Sequence, residues 1–114
     1  RAEVVNLVGD LKNRDVIIID DMIDTAGTTV NAAEKAIENG AHSVIGVATH
    51  ALLSGEAIER LKKSPIKQFI FTDTVHVPEG KILPNMRFVT VAGVFGEAIR
   101  RIYEGESVSA LFKF

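Results

Sequence analysis

The sequence has no cysteine and no tryptophan, one tyrosine and three prolines in 114 residues. Without cysteine there is no disulfide framework and no thiolate metal site, a composition that fits a cytoplasmic protein. No apolar run approaches the ~20 residues that a membrane-spanning helix needs, and no secretory leader pattern is present. The net charge is -2 and the pI near 5.9. That balance supplies no basic field for nucleic acid. There is no Gly-x-x-x-x-Gly-Lys-Ser/Thr loop of an ordinary P-loop kinase and no dinucleotide-binding Gly-x-Gly-x-x-Gly. His42, His50 and His76 share no metal-ligand spacing. The chain opens on Arg1 rather than Met. It reads either as a piece of something longer or as an engineered start. Its length suits one domain with a modest core.

What is present is concentrated in residues 16–29. Val16, Ile17, Ile18 and Ile19 form an apolar run without alternation, as expected of a strand buried on both faces. Asp20 and Asp21 stop the run. A short loop follows with Asp24, Thr25, Ala26, Gly27, Thr28 and Thr29, and a helical pattern opens at about Thr28 or Thr29. A strand, an acidic end, a small hydroxyl-rich turn and a helix N-terminus together suit a sugar phosphate. Backbone N–H groups and the positive helix end take the phosphate. A carboxylate accepts two O–H bonds at once, which suits a vicinal diol. By itself an Asp pair is more often a solvated strand end, and Thr25 or Thr28 serves equally well as a plain helix cap.

Along the chain, residues 3–8, 16–19, 43–48, 66–71 and 88–91 read as strands. Residues 31–39 read as a helix with a stop at Asn39-Gly40. A second helix starts with Ser54 as N-cap, runs through Ile58, Leu61 and Lys62, and ends at Pro65. A third carries Phe95, Ala98, Ile99, Ile102 and Tyr103 at helical spacing and closes at Gly105. Residues 73–85, with Pro78, Gly80 and Pro84, read as a surface loop. Phe69, Phe71, Phe88 and Phe95 are assigned to the core, since no basic residues interleave them for nucleic-acid stacking. Strands alternating with helices predict an α/β fold with a mainly parallel sheet flanked by helices.

The stretch Asp20-Asp21-Met22-Ile23-Asp24-Thr25-Ala26-Gly27-Thr28 resembles the phosphoribosyl-binding loop of the type I phosphoribosyltransferase fold. Its wording is similar to one branch, the ribose-phosphate pyrophosphokinases (phosphoribosyl pyrophosphate synthetases). Thr49-His50-Ala51-Leu52-Leu53-Ser54-Gly55-Glu56-Ala57 is similar to that family's segment after the next strand. Glu106-Ser107-Val108-Ser109-Ala110-Leu111-Phe112 resembles its carboxyl terminus. The resemblance covers residues 2–112 and matches roughly the last third of such an enzyme, so residues 1–114 are expected to be a partial C-terminal phosphoribosyltransferase-like domain.

The resemblance implies a transferase that moves pyrophosphate from ATP to the 1-hydroxyl of ribose 5-phosphate, with magnesium on the polyphosphate. It implies that Asp20 and Asp21 face the 2- and 3-hydroxyls, directly or through a magnesium, and that the loop Asp24, Thr25, Ala26, Gly27, Thr28 and Thr29 takes the 5-phosphate. A Lys/Arg-rich catalytic loop and the adenine site are expected upstream of this chain, so no catalytic residue is assigned within it and the piece alone is expected to be inactive. Ser107 and Phe112 are implicated in an effector site at a subunit interface of a homo-oligomer, a hexamer by resemblance. His50 carries two readings of similar weight, a polyphosphate contact or a local hydrogen bond.

Two alternatives come with different partners. One is a phosphoribosyltransferase that delivers the activated sugar to a nucleobase, against which the 49–57 segment and the 107–112 tail both argue. The other is a non-catalytic regulatory homologue of the synthetase, against which the intact acidic pair and complete loop argue.

Overall fold

The computed structural model describes residues 9–112. Four parallel strands form one sheet in the order β1 (Asp15–Ile23), β2 (Ser43–Ala51), β3 (Ile66–Thr72) and β4 (Met86–Val89). Helix α1 (Gly27–Glu38) joins β1 to β2, α2 (Ala57–Lys63) joins β2 to β3, and α3 (Ala92–Glu104) follows β4. This is the expected α/β arrangement. The strand expected over residues 3–8 lies outside the described residues.

The core forms where α1 and α2 cover one face of the sheet. Val44 and Ala48 of β2 and Phe69 and Phe71 of β3 are buried there with Ala33 and Ala36 of α1 and Ala57 and Leu61 of α2. The Phe69 and Phe71 rings stack at 5.8 Å, and Phe88 of β4 lies 5.6 Å from Phe71. Gly46 makes room for this layer, because a Cβ there would stand 3.2 Å from the Phe69 ring. Small alanines on the helices let them approach the sheet closely, and the two phenylalanines fill the remaining depth.

Several elements differ from the sequence reading. Pairing of β1 with β2 continues through Asp20↔Ala48, Met22↔His50 and Ile23↔Ala51, so the acids sit inside the strand and do not end it. Main-chain pairing is indifferent to a carboxylate whose side chain reaches water. Nor is β1 buried on both faces. Val16 and Ile18 are half-buried against the core, whereas Ile17 and Ile19 are 59% and 76% exposed. The apolar run lacks alternation because of its residue types, while its burial alternates because helices cover one face among the described residues. Helix α2 starts at Ala57, two residues later than a Ser54 cap would place it, and no side chain caps it. Leu53 and Gly55 both take left-handed backbone (φ 54 and 58) and delay the first helical turn. Its end agrees with expectation, since Ser64 is extended (ψ 158) before Pro65. β4 lies two residues earlier than expected, because Asn85 O accepts from Phe69 N and Val91 is already the residue that opens α3. Residues 73–85 contain a 3₁₀ turn at Glu79–Lys81, and Lys81 Nζ donates to Leu53 O at 3.0 Å.

Helix α3 has the expected apolar stripe, yet no residue of it is buried. Phe95, assigned to the core from sequence, is 56% exposed. Its period makes it a helix, and burial depends on a partner surface that the described residues do not contain. The helix is tied at both ends by polar groups. At its start, Val91 N donates to Asp73 Oδ1 (2.8 Å) and Ala92 N to Thr90 Oγ1 (3.1 Å). The Val91 amide, with Thr90, holds the Asp73 carboxyl below its ordinary range. Near its end, Glu97 accepts from Arg100 Nη2 (2.8 Å) and Arg101 Nε (2.9 Å), and Arg100 also reaches Glu104 and Glu106.

Those two arginines lower the Glu97 carboxyl from 4.5 to about 2. A carboxyl depressed in the folded state contributes stability above its unfolded value, and loses it as pH falls toward the folded value. Between pH 4.5 and about 2 the unfolded chain binds the proton first. We expect the last turns of α3 and residues 105–112 to loosen over that interval, read as faster amide exchange in those residues, and Glu97→Gln to reduce that pH dependence, the rest coming from Glu106, whose carboxyl Arg100 also holds below its ordinary range.

Candidate functional site

The carboxyl ends of the parallel strands gather at one edge of the sheet, where open α/β sheets bind ligands. Ile23 of β1 pairs with Ala51 of β2 at that edge, and the loop 24–26 leads directly into α1. Ala26 is the residue before the helix. It is 4% exposed and left-handed (φ 70, ψ 4), a conformation uncommon outside glycine, asparagine and aspartate. The first helical bond runs from Val30 N to Ala26 O at 3.0 Å. The amides of Gly27, Thr28 and Thr29 therefore precede the helical ladder, and no side chain caps this terminus. The N-cap position that sequence allowed for Thr25 or Thr28 is taken by Ala26. Gly27 and Thr28 stand inside the first turn of α1, and Thr29 is buried.

Two clefts flank this helix start and share Thr25, Gly27 and Thr28. One, of about 300 Å³, is lined by Asp20, Met22, Ile23 and Asp24 together with residues 25–29. The other, of about 430 Å³, lies on the α2 side and takes in Asn31, Glu34 and Arg60. The smaller cleft thus brings seven of the eight sequence-assigned substrate residues together: Asp20, Asp24, Thr25, Ala26, Gly27, Thr28 and Thr29. Asp21 is not among its lining residues. Neighbouring strand side chains point to opposite faces, and Asp21 is linked to Asp20 only by its amide, which donates to Asp20 Oδ1 at 2.8 Å. Asp20 and Asp24 are solvent-exposed. The cleft therefore joins an exposed carboxylate near the end of the β1 ladder, Asp20, to the amides at a helix start. It can accept hydroxyl protons at one end and hold an anion at the other.

His50 Nδ1 lies 2.6 Å from Thr74 Oγ1, and Thr74 Oγ1 also lies 3.3 Å from Thr49 O. That is the local hydrogen bond of its two readings. His42 is exposed and pairs with Asp15 Oδ1 at 2.9 Å, and His76 is exposed. Ser107 Oγ is 2.8 Å from Ser109 Oγ, Ser107 O accepts from Arg101 Nη1 at 3.0 Å, and Phe112 is 57% exposed. The tail is tied to the end of α3 through Arg101. Among the described residues no three Asp, Glu, His or Cys side chains converge as a metal cage, and no helix is long and apolar enough to cross a membrane. Arg60 was not singled out from sequence. It reads there as one more charge on the outer face of a short helix, and only the tertiary structure brings it to the loop.

Comparison with known proteins gives a consistent result. A ribose-phosphate pyrophosphokinase of Caldanaerobacter subterraneus subsp. tengcongensis is 53% identical over 111 residues, 97% of this chain and 35% of that protein. One from Campylobacter jejuni is 49% identical over the same shares. The crystal structure of phosphoribosylpyrophosphate synthetase from Mycobacterium smegmatis superposes with a TM-score of 0.83 at 38% identity, over 86% of this chain and 33% of that one. The chain thus spans about a third of the length of the relatives it matches. The family model described as the phosphoribosyl synthetase-associated domain matches residues 2–113, and the chain belongs to that family.

Proposed function

We propose that this chain supplies the ribose 5-phosphate site of a ribose-phosphate diphosphokinase. The observation that carries the reading is the single cleft joining Asp20 to the uncapped start of α1. The 5-phosphate lies against the amides of Gly27, Thr28 and Thr29, with threonine hydroxyls as further donors, and Asp20 accepts from the ribose hydroxyls. The names of the relatives favour this over transfer to a nucleobase. In the whole protein the sugar's O1 attacks the β-phosphorus of ATP. The bond between the α-phosphate and the β-phosphorus breaks, AMP leaves, and the O1 proton is lost. The contribution of this chain is to hold and orient the acceptor, an effect of proximity. The cationic groups that neutralise the transferring phosphates belong, in this reading, to the remaining two thirds of the polypeptide.

Magnesium fits the donor set as a partner of the substrates. It is commonly held by one or two carboxylates plus substrate phosphates rather than by an all-protein cage. Asp20 and Asp24 are the exposed carboxylates at the cleft. The ion would supply charge neutralisation there.

Gly27 offers a clean test, because an added Cβ meets no protein atom within 4 Å. Gly27→Val should leave folding almost unchanged while its side chain occupies the space at the helix start. Calorimetric affinity for ribose 5-phosphate in the full-length polypeptide should fall by at least about tenfold, or ~1.4 kcal/mol. Unchanged affinity would remove the loop from the site.

Asp20→Asn keeps shape and removes charge. Saturation by the sugar should suffer while ATP affinity, titrated directly, stays within about twofold of the parent. An equal loss for both substrates would move Asp20 to the nucleotide side.

For the tail we propose an effector role in a homo-oligomer. The support is the family resemblance together with the exposure of Phe112. Ser107→Ala and Phe112→Ala in the full-length polypeptide should alter ADP or phosphate regulation more than sugar affinity. Unaltered regulation, with the same oligomer size by light scattering, would return the tail to plain packing.

A further inference from the structure

The loop after β1 is held from behind through three successive carbonyls. Ile23 O accepts from Leu52 N (3.0 Å) and Leu53 N (3.1 Å), and Asp24 O accepts from Ser54 N (2.9 Å). Thr25 O accepts from Arg60 Nη1 at 2.9 Å. In a trans peptide the C=O and the next N–H point to opposite sides. Each carbonyl drawn toward the 52–60 segment therefore turns the following amide away from it. The last of the three peptide units enters Ala26, the left-handed residue on which the start of α1 turns.

The first two restraints are made by main chain. The turn that makes them depends on Leu53 and Gly55 in left-handed backbone (φ 54 and 58). The third is made by one side chain, reaching from the middle of α2 across to residue 25. Glu56, one helical turn earlier, stands 3.6 Å from Arg60 Nη2 and helps aim the guanidinium. That pair is exposed and contributes little to stability by itself. Arg60 lines the larger cleft and is absent from the walls of the one that holds Asp20. It stands behind the loop rather than inside the cleft.

We propose that Arg60 is the positioning residue of the sugar-phosphate loop. By fixing the Thr25 carbonyl it stabilises the left-handed Ala26 and aims the amides of residues 27–29 at the phosphate. A non-glycine residue persists in that region only when its surroundings over-determine it, and Arg60 adds a hydrogen bond on Thr25 O to the apolar packing around Ala26. The proposal rests on the sugar-phosphate reading above and adds the element that pre-organises the site.

The test uses the full-length polypeptide and three ligands titrated separately: ribose 5-phosphate, unphosphorylated ribose, and ATP. Arg60→Ala should weaken ribose 5-phosphate by about tenfold, the scale of losing a charge-assisted hydrogen bond. Binding of ATP should stay within about twofold, and the ratio of ribose 5-phosphate to ribose affinity should shrink, because only the phosphate end is disturbed. Arg60→Lys keeps one donor and should fall between the parent and Arg60→Ala. It also serves if the alanine variant fails to fold. If the parent itself does not prefer ribose 5-phosphate over ribose, the sugar-phosphate reading fails and takes this proposal with it. If the parent shows that preference and Arg60→Ala shows it undiminished, the site stands and the positioning role of Arg60 is overturned. A parallel loss of ATP and sugar affinity in Arg60→Lys, with a lowered melting temperature, would likewise overturn it in favour of a general structural role.

Discussion

Parallel pairing of β1 with β2 runs past the apolar residues to Ile23↔Ala51, and the candidate site hangs from that extension. Were the strand to stop at Ile19, Asp20 would sit on a loop. It would then have no fixed relation to a helix start seven residues later. As it is, a continuous ladder carries Asp20 to the sheet edge, and the tie of Ile23 O to the two amides of Leu52 and Leu53 carries the chain around into α1. The geometry is thus transmitted by main-chain bonds, which are short, directional and costly to leave unmade when buried. A site built this way needs few special side chains. Small residues suffice at Ala26 and Gly27, because the backbone itself is the ligand.

The second face of the sheet and the apolar stripe of α3 tell a complementary story. Ile17, Ile19, Phe95, Ile99 and Ile102 are all more than half exposed. Scattered apolar residues on a surface need no explanation, but the apolar stripe of α3, repeated along one helix face, is of the kind that meets another surface. That agrees with a chain that spans about a third of its relatives. The described residues cover one face of the sheet, with Phe69 and Phe71 fully buried, and leave the other face and α3 more open.

Much of this was legible in the residues. Alternating strands and helices gave the α/β sheet, Pro65 gave the end of α2, Asn39-Gly40 the end of α1, and the Asp20 to Thr29 stretch gave the cleft. The misreadings share a cause. Unbroken apolar β1 reads as doubly buried, and periodic α3 reads as packed, because residue type records what a face is made for rather than what covers it in this chain. Phe95 was placed in the core on the same ground. Ser54 reads as a cap because its hydroxyl is suited to one. The left-handed turns at Leu53 and Gly55 that displace it depend on tertiary bonds to the β1 loop. Arg60 left no signal at all: a surface arginine on a short helix is ordinary until the fold brings it against residue 25.

Separation of roles follows from this construction. Holding a sugar phosphate by backbone amides at a helix start demands no titratable protein group, so any pH dependence of that contact near neutrality comes from the second ionisation of the phosphate itself. The chemistry of the transferring phosphates is different, since charge develops there and must be met by cations. Around the smaller cleft the charged side chains are acidic, Asp20 and Asp24, and Arg60 stands behind the loop engaged with Thr25 O and Glu56. A cleft of that polarity would repel a polyphosphate unless cations came with it. It suits a neutral ribose ring whose single phosphate is neutralised by oriented dipoles. An acidic rim of this kind agrees with the sugar-phosphate site proposed above, and it leaves a polyphosphate donor to surfaces that carry positive charge.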